Sequence, residues 1–206
     1  MNIIIKFFSL FNSISLRNKF RNFSILVNIY SYQRYLKKKL LSCGSNIRLY
    51  NPLSITGLNY ISIGDNVKIG NGVRLEAISY HNSVRFNPKI IISNNVSFGN
   101  NCHIGCVNQI EILENVLIGS NVLIIDHNHG NNHKDELIKA PNDRILYSKG
   151  PIKICENVWI GDNVIILPGV TIGANSIIGA NSVVTHDVPN NSIVCGISAN
   201  VIKEIE

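Results

Sequence analysis

The sequence predicts an all-β chain wound as a coil of short parallel strands. Three observations carry that reading: apolar residues recur every six positions, Asn or Gly recurs at a fixed place in each period, and apolar residues make up 45% of the 206. Only 16% are charged. A chain of this length buries a core without disulfides or metal. Its composition excludes a disordered polymer, which would be polar and charge-rich.

The period begins at residue 63. Hexads start at 63 and 69, at 92, 98 and 104, at 112, 118 and 124, and at 154, 160, 166, 172, 178 and 184. The first residue of these fourteen is Ile twelve times, with Phe98 and Val184 as the others. The fifth is Val in nine and Cys102, Ser176 or Ser182 in three more; the fourth is Asn in nine, with Gly72, Gly169 and Asp187. A helical period of 3.6 does not produce this, and plain strand alternation is not punctuated every six residues. The first residue points inward from a flat side, and Val fits the same pleated wall. Asn and Gly stand where the chain turns, because they tolerate positive φ. Three sides of six residues make an 18-residue coil, and stacked coils bury one continuous core.

Before the coil lies a segment of different character, residues 1–44, leaving 45–206 as the repeat domain. Residues 1–50 hold nine Lys or Arg and no acid, whereas 51–206 hold ten basic and thirteen acidic side chains. The net charge of +6 therefore belongs to the N-terminal segment. Nine of the fifteen aromatic residues also fall in 1–50. No stretch there is apolar over the roughly 20 residues that span a bilayer, and no small-residue cleavage site follows the run Ile3–Phe11. Such a basic, aromatic segment is either helical packing with a solvated face or a peripheral contact with an anionic membrane surface. It carries no zinc or RNA-binding signature, so no nucleic-acid partner is expected. The five cysteines, an odd number without a dense framework, suit reduced thiols in a cytoplasmic protein.

Two hexads break the code, both at positions four and five. Hexad 104–109 places Val107 and Asn108 there, and hexad 124–129 places His127 and Asn128. Their starts lie 20 residues apart, one coil plus two residues, so they fall on one face of adjacent coils about 4.8 Å apart. An insertion follows each: two residues after the first, and the extended loop 130–153 after the second. A regular scaffold that breaks twice at one place marks a functional site. His127 can take a proton from a hydroxyl near neutral pH, as acyl transfer to an alcohol requires. Asn108 offers an amide for a sugar hydroxyl. Asp126 precedes His127, but consecutive side chains on an extended strand point to opposite faces, which argues against its orienting the ring. His129 reads as a turn residue.

The repeats resemble the hexapeptide-repeat family, which implies a left-handed parallel β-helix, a hand opposite to the usual crossover rule. The motif Asp126-His127-Asn128-His129-Gly130 narrows the resemblance. With Ser148-Lys149-Gly150, Val158-Trp159-Ile160-Gly161 and Ile166-Leu167-Pro168-Gly169, it is similar to the O-acetyltransferases of bacterial surface polysaccharides (O-antigen, colanic acid, capsule), relatives of the maltose and galactoside acetyltransferases. The resemblance covers about residues 45–206. It implies a short C-terminal helix after the coil and a homotrimer, with acetyl-CoA and the acceptor meeting between neighbouring β-helices. His127 takes the part of general base, and Trp159 flanks the reaction centre beside the acceptor. The amide at Asp162 stands near the thioester, able to stabilise an oxyanion. Ala180, Thr185 and His186 match positions along the pantetheine and phosphates. His186 replaces the usual Lys, and Ile197-Ser198-Ala199-Asn200 replaces a segment with Pro and a basic residue, with Lys203 placed to compensate.

The expected activity is acetyl transfer from acetyl-CoA to a sugar hydroxyl of a cell-surface polysaccharide precursor, free or lipid-linked, without a metal. The expected location is cytoplasmic, with peripheral contact at the inner membrane through residues 1–44. Two other readings share the scaffold. One is a zinc enzyme resembling γ-class carbonic anhydrase, for which His81, His103, His127, His129 and His133 supply imidazoles without a His-x-x-x-x-His pair. The other is a non-catalytic β-helix.

Overall fold

The computed structural model describes residues 27, 31, 32, 34–36, 38–50, 54–131 and 133–205. Each circuit of the chain crosses three faces in turn, and each face is a parallel sheet. The first face takes Ser42–Cys43, Ile61–Ile63, Lys89–Ile92, Gln109–Ile112, Ile152–Ile154 and Thr171–Ile172. The second runs from Arg48–Leu49 through Lys68–Ile69, Ser97–Phe98, Leu117–Ile118, Trp159–Ile160 and Ile177–Ile178 to Ser192–Cys195. The third stacks Ser54–Thr56, Arg74–Ala77, His103–Cys106, Leu123–Ile125, Ile165–Ile166 and Val183–Val184.

Register follows the hexad ruler. Lys153 pairs with Thr171, 18 residues on, and Ile90 with Ile110, 20 residues on. All fourteen first-position residues are buried, from Ile63 to Val184. A fully buried Ile contributes about 1.5–3 kcal/mol over an exposed one, so the inner Ile stack is the main source of stability. Fifth-position residues are buried too, with two exceptions: Asn108 and Asn128.

The corner asparagines do more than turn the chain. Those at the corner between first and second faces (Asn46, Asn66, Asn95, Asn115, Asn157, Asn175, Asn191) have φ between 52° and 61°. Each donates its amide N–H to the carbonyl of the next, at 2.8–3.2 Å. A second ladder, Asn101–Asn121–Asn163–Asn181, climbs the corner between second and third faces at 3.0–3.3 Å. Among the described residues, no asparagine ladder climbs the corner between third and first faces. That corner carries both breaks and both long excursions.

One excursion was not visible in the repeat. Ile61 pairs with Ile90, 29 residues on, because residues 78–88 leave the coil as a hairpin of Tyr80–His81 against Val84–Arg85. Asn82 and Ser83 both take positive φ, as a two-residue type I′ turn requires. The other excursion is the expected loop, somewhat shorter, since Ile152–Ile154 already belongs to the first face. Its base is an antiparallel pair of Asn128–His129 with Leu146–Tyr147. A helical turn, Lys134–Leu137, follows. Asn82 holds the loop against the hairpin through the carbonyls of Asn142 and Arg144, at 2.6 and 3.3 Å.

Both ends of the core are covered. Leu36 and Leu40 are buried in it, with Tyr32 packed alongside. Of residues 1–44, on which the membrane-surface reading rests, 1–26, 28–30, 33 and 37 lie outside the described residues. No helix among the described residues is long and apolar enough to cross a membrane. At the other end the expected short helix is absent: Asn200–Glu204 is a strand, antiparallel to Ser192–Cys195. The physical reason is the open edge of the second face, whose unpaired N–H and C=O groups a strand satisfies and a helix does not. Val201 and Ile202 favour that choice.

Candidate active site

The two breaks meet as the spacing predicts: Ile104 pairs with Ile124, and Gly105 with Ile125. In regular hexads the fourth residue faces out and the fifth faces in. At both breaks the sense inverts, burying Val107 and His127 and exposing Asn108 and Asn128. The cause is Asp126. The strand Leu123–Ile125 ends in a bend at this residue, and its carboxylate, 0% exposed, turns into the corner.

A buried carboxylate is costly unless its oxygens are satisfied. Asp126 accepts the N–H of Val107 at 2.9 Å and of Asn108 at 2.8 Å. It also accepts the thiol of Cys106 at 3.2 Å. Its remaining partner is Nδ1 of His127, at 3.0 Å. An ionised carboxylate only accepts, so Nδ1 carries the proton and Nε2 is left with its lone pair. Asp126 thus orients His127, contrary to the alternation expected from sequence. That rule holds for extended backbone, and the chain bends here.

Cys106 is no nucleophile. Burial, then the negative charge of Asp126, push its thiol far above the ordinary cysteine range. Beneath the ring, Gly105 has no side chain; a Cβ there would stand 3.4 Å from Cε1 of His127 and 3.5 Å from Nε2 of His103. His103 donates to Glu76 at 2.9 Å, and Arg74 grips the same carboxylate at 2.8 Å. Burial raises the affinity of Glu76 for its proton, but the bonds and charges of Arg74 and His103 outweigh it and leave the carboxyl below its usual range. The row Arg74–Glu76–His103 was absent from the sequence reading, as it lies on outward positions that the ruler does not constrain.

Asn108 is exposed beside Ser148, whose hydroxyl accepts its amide at 3.4 Å and itself donates to the carbonyl of Gly150 at 3.1 Å. The expected donor residues are distributed differently. Thr185 and His186, joined at 2.7 Å, lie on the corner that holds His127, two coils along. Trp159, 52% exposed, faces out from the second face between Leu117 and Ile177. Asp162 and Ala180 turn the corner between second and third faces, where the Asp162 carboxylate caps the N–H of Ser120 at 2.6 Å. Lys203 is exposed on the terminal strand opposite Ile193. One chain therefore gathers His127, Asn108 and Asp126, and does not bring Trp159, Asp162 or Ala180 to them.

Two repeat families match: bacterial transferase hexapeptide (six repeats) over residues 151–186, and the hexapeptide repeat of succinyl-transferase over 61–77. WbbJ of Escherichia coli strain K12, which bears the name of a lipopolysaccharide biosynthesis O-acetyl transferase, is 34% identical over 156 residues, covering 74% of this chain and 76% of its own. The chain belongs to the hexapeptide-repeat acetyltransferases. Solved members share the architecture. A galactoside acetyltransferase in complex with coenzyme A is 29% identical, with a TM-score of 0.56 over 83% of this chain and 68% of that one. AntD, an N-acyltransferase from Bacillus cereus, superposes with a TM-score of 0.69 at 24% identity, over 84% of this chain and 88% of its own. The fold is the left-handed parallel β-helix of this family.

Proposed function

We propose that this acetyltransferase moves acetyl from acetyl-CoA to a hydroxyl of a cell-surface glycan precursor, with His127 as general base. The observation that carries the reading is the Asp126–His127 pair at the double break. The acceptor hydroxyl gives its proton to Nε2 of His127 as its oxygen attacks the thioester carbonyl. The C–S bond then breaks, and the imidazolium returns the proton to the departing coenzyme thiolate. Asp126 holds the ring and stabilises its charged form. Transfer is direct, without a covalent enzyme intermediate: Cys106 is buried and donates to Asp126, and burial and that carboxylate push its thiol up. Asn108 holds the acceptor.

The distribution of donor residues supports an active site shared between subunits. Trp159 lies on the second face, and Asp162 and Ala180 at a different corner from His127, so a neighbour's copies would complete the thioester end, with Thr185, His186 and Lys203 toward the phosphates. Leu117 and Trp159, each about half exposed on the second face, suit an interface. A homotrimer satisfies this arrangement, and light scattering at three times 22.9 kDa is the expected result. A lipid-linked acceptor would give the basic residues 1–44 a place at the inner membrane surface. The zinc reading finds no support in the imidazoles, which are engaged apart: His103 with Glu76, His127 with Asp126, and His81 edge-on to His129.

Replacing His127 by Ala tests the mechanism. Acetyl transfer should fall by about 10²–10⁴-fold, with coenzyme A binding by calorimetry unchanged. Undiminished transfer would overturn it.

A further inference from the structure

Beside the catalytic corner, the two excursions and the first break enclose an open cavity of about 410 Å³. That is within the range of sites for small molecules, about 300–1,000 Å³. Its walls come from three separate stretches: Phe86 to Lys89 at the foot of the hairpin, Val107 to Gln109 at the break, and Ser148 at the end of the loop. It shares Val107 and Asn108 with the backbone that Asp126 holds, and so adjoins the His127 site.

The lining chemistry is specific. Asn87, Asn108 and Gln109 offer amides, and Ser148 a hydroxyl, all of which suit the hydroxyls of a sugar ring. Phe86 offers an apolar ring for the apolar face of a pyranose. Among the described residues Lys89 is the single charged group in the lining, which holds no carboxylate. The backbone of Lys89 is pinned: its N–H donates to the carbonyl of Asn108 at 2.9 Å. Its ammonium, by contrast, meets no carboxylate within ion-pair distance among the described residues. The other lysines and arginines near the coil surface that form ion pairs, Arg74 and Lys153, do so within their own sheets.

The geometry points to a second sugar subsite that takes an anionic residue of the acceptor, its negative group held by Lys89. This rests on the glycan-acceptor reading above and names the class of acceptor: a glycan bearing an acid next to the acetylated sugar. The acid is either a carboxylate on the sugar or a phosphate attached to it. Both would form a charge-assisted hydrogen bond with the ammonium, stronger than one between neutral groups.

The test is equilibrium binding to the full chain without any acyl donor, so that it does not depend on turnover. The probes are methyl β-glucuronide, glucose 1-phosphate and neutral methyl β-glucoside, titrated by calorimetry or ligand-observed NMR. Wild-type protein is expected to bind at least one acidic probe on the order of tenfold more tightly than the neutral one. A gain with the glucuronide alone assigns a carboxylate, with the phosphate alone a phosphate, and with both an anion of either kind. Lys89→Met should abolish the difference and keep the neutral binding, and Lys89→Arg should retain the difference. Equal affinity for all three probes, or a preference that survives in Lys89→Met, would overturn the subsite. The acceptor reading fails separately, if no sugar acceptor of either kind accelerates release of coenzyme A from acetyl-CoA.

Discussion

The buried carboxylate of Asp126 holds Nδ1 of His127 at 3.0 Å and the amide of Val107 through Oδ1, and the amide of Asn108 through Oδ2, both amides one coil below. One side chain thereby fixes the proposed base and the proposed acceptor contact together. Asp126→Asn should keep the fold and lower kcat roughly 10²-fold, because an amide can donate to Nδ1 and stabilise the wrong tautomer. Coenzyme A affinity should stay level. Nitrogen-15 NMR of the imidazole should show the proton moving from Nδ1 toward Nε2; an unchanged tautomer together with unchanged kcat would reduce Asp126 to a structural group. Asp126→Ala should in addition cost about 1–3 kcal/mol of stability, by orphaning buried amides.

Asn108 is exposed at the same break, with its amide on Ser148. In Asn108→Ala the acceptor KM should rise several-fold, while hydrolysis of acetyl-CoA without acceptor stays at the wild-type rate. Equal losses in both reactions would mean that Asn108 does not touch the acceptor.

Gly105 leaves just enough room for the His127 ring. Gly105→Ala places a methyl at ordinary contact distance and should retain most activity. Gly105→Val adds methyl groups that the packed corner cannot hold, at a cost of about 1–3 kcal/mol. Displacement of the ring should lower kcat more than tenfold. A fully active Val variant would show that the ring tolerates movement.

The sequence displayed the coil almost completely, because one inward Ile every six residues is both the pattern and the core. It also located the corner, since His127 and Asn108 are departures from that pattern. What it hid depends on contacts between coils. Asp126 looked misdirected under strand alternation, and only its bend and its bonds to Val107 and Asn108 turn it toward His127. Phe86 and Asn87 fall in an excursion outside the hexads, Lys89 opens the strand that follows it, and nothing local joins them to Ser148. The terminal strand was missed for a similar reason: a free sheet edge decides it, and that edge is a product of the fold.

The ladder makes a prediction about stability. Asn115 accepts from Asn95 at 3.0 Å, donates to Asn157 at 3.2 Å and has a φ of 61°. Asn115→Gly keeps the turn and loses two hydrogen bonds, a loss of about 1–2 kcal/mol. Asn115→Ala loses the same bonds and adds roughly 1 kcal/mol for a Cβ at positive φ. Urea unfolding should rank wild type above Gly and Gly above Ala. The reverse order of the two variants would place the ladder's value in chain stiffness, not in turn geometry.

Glu76 sets a pH dependence. Its carboxyl lies below the usual range in the folded protein because Arg74 and His103 outweigh its burial. A depressed carboxylate stabilises the fold above the unfolded-state value, and that contribution disappears as the pH falls through the folded one. Glu76→Gln should therefore melt below wild type at pH 7, by a few degrees at most for a half-buried surface cluster. The two melting curves should converge as the pH falls below the usual carboxylate range and through the lowered folded value, where the wild-type carboxyl takes up its proton. The variant should also respond less to salt at neutral pH, because screening weakens only the wild-type pairs. A gap between the two proteins that stays constant from pH 7 to pH 3 would assign the Glu76 effect to packing instead of charge.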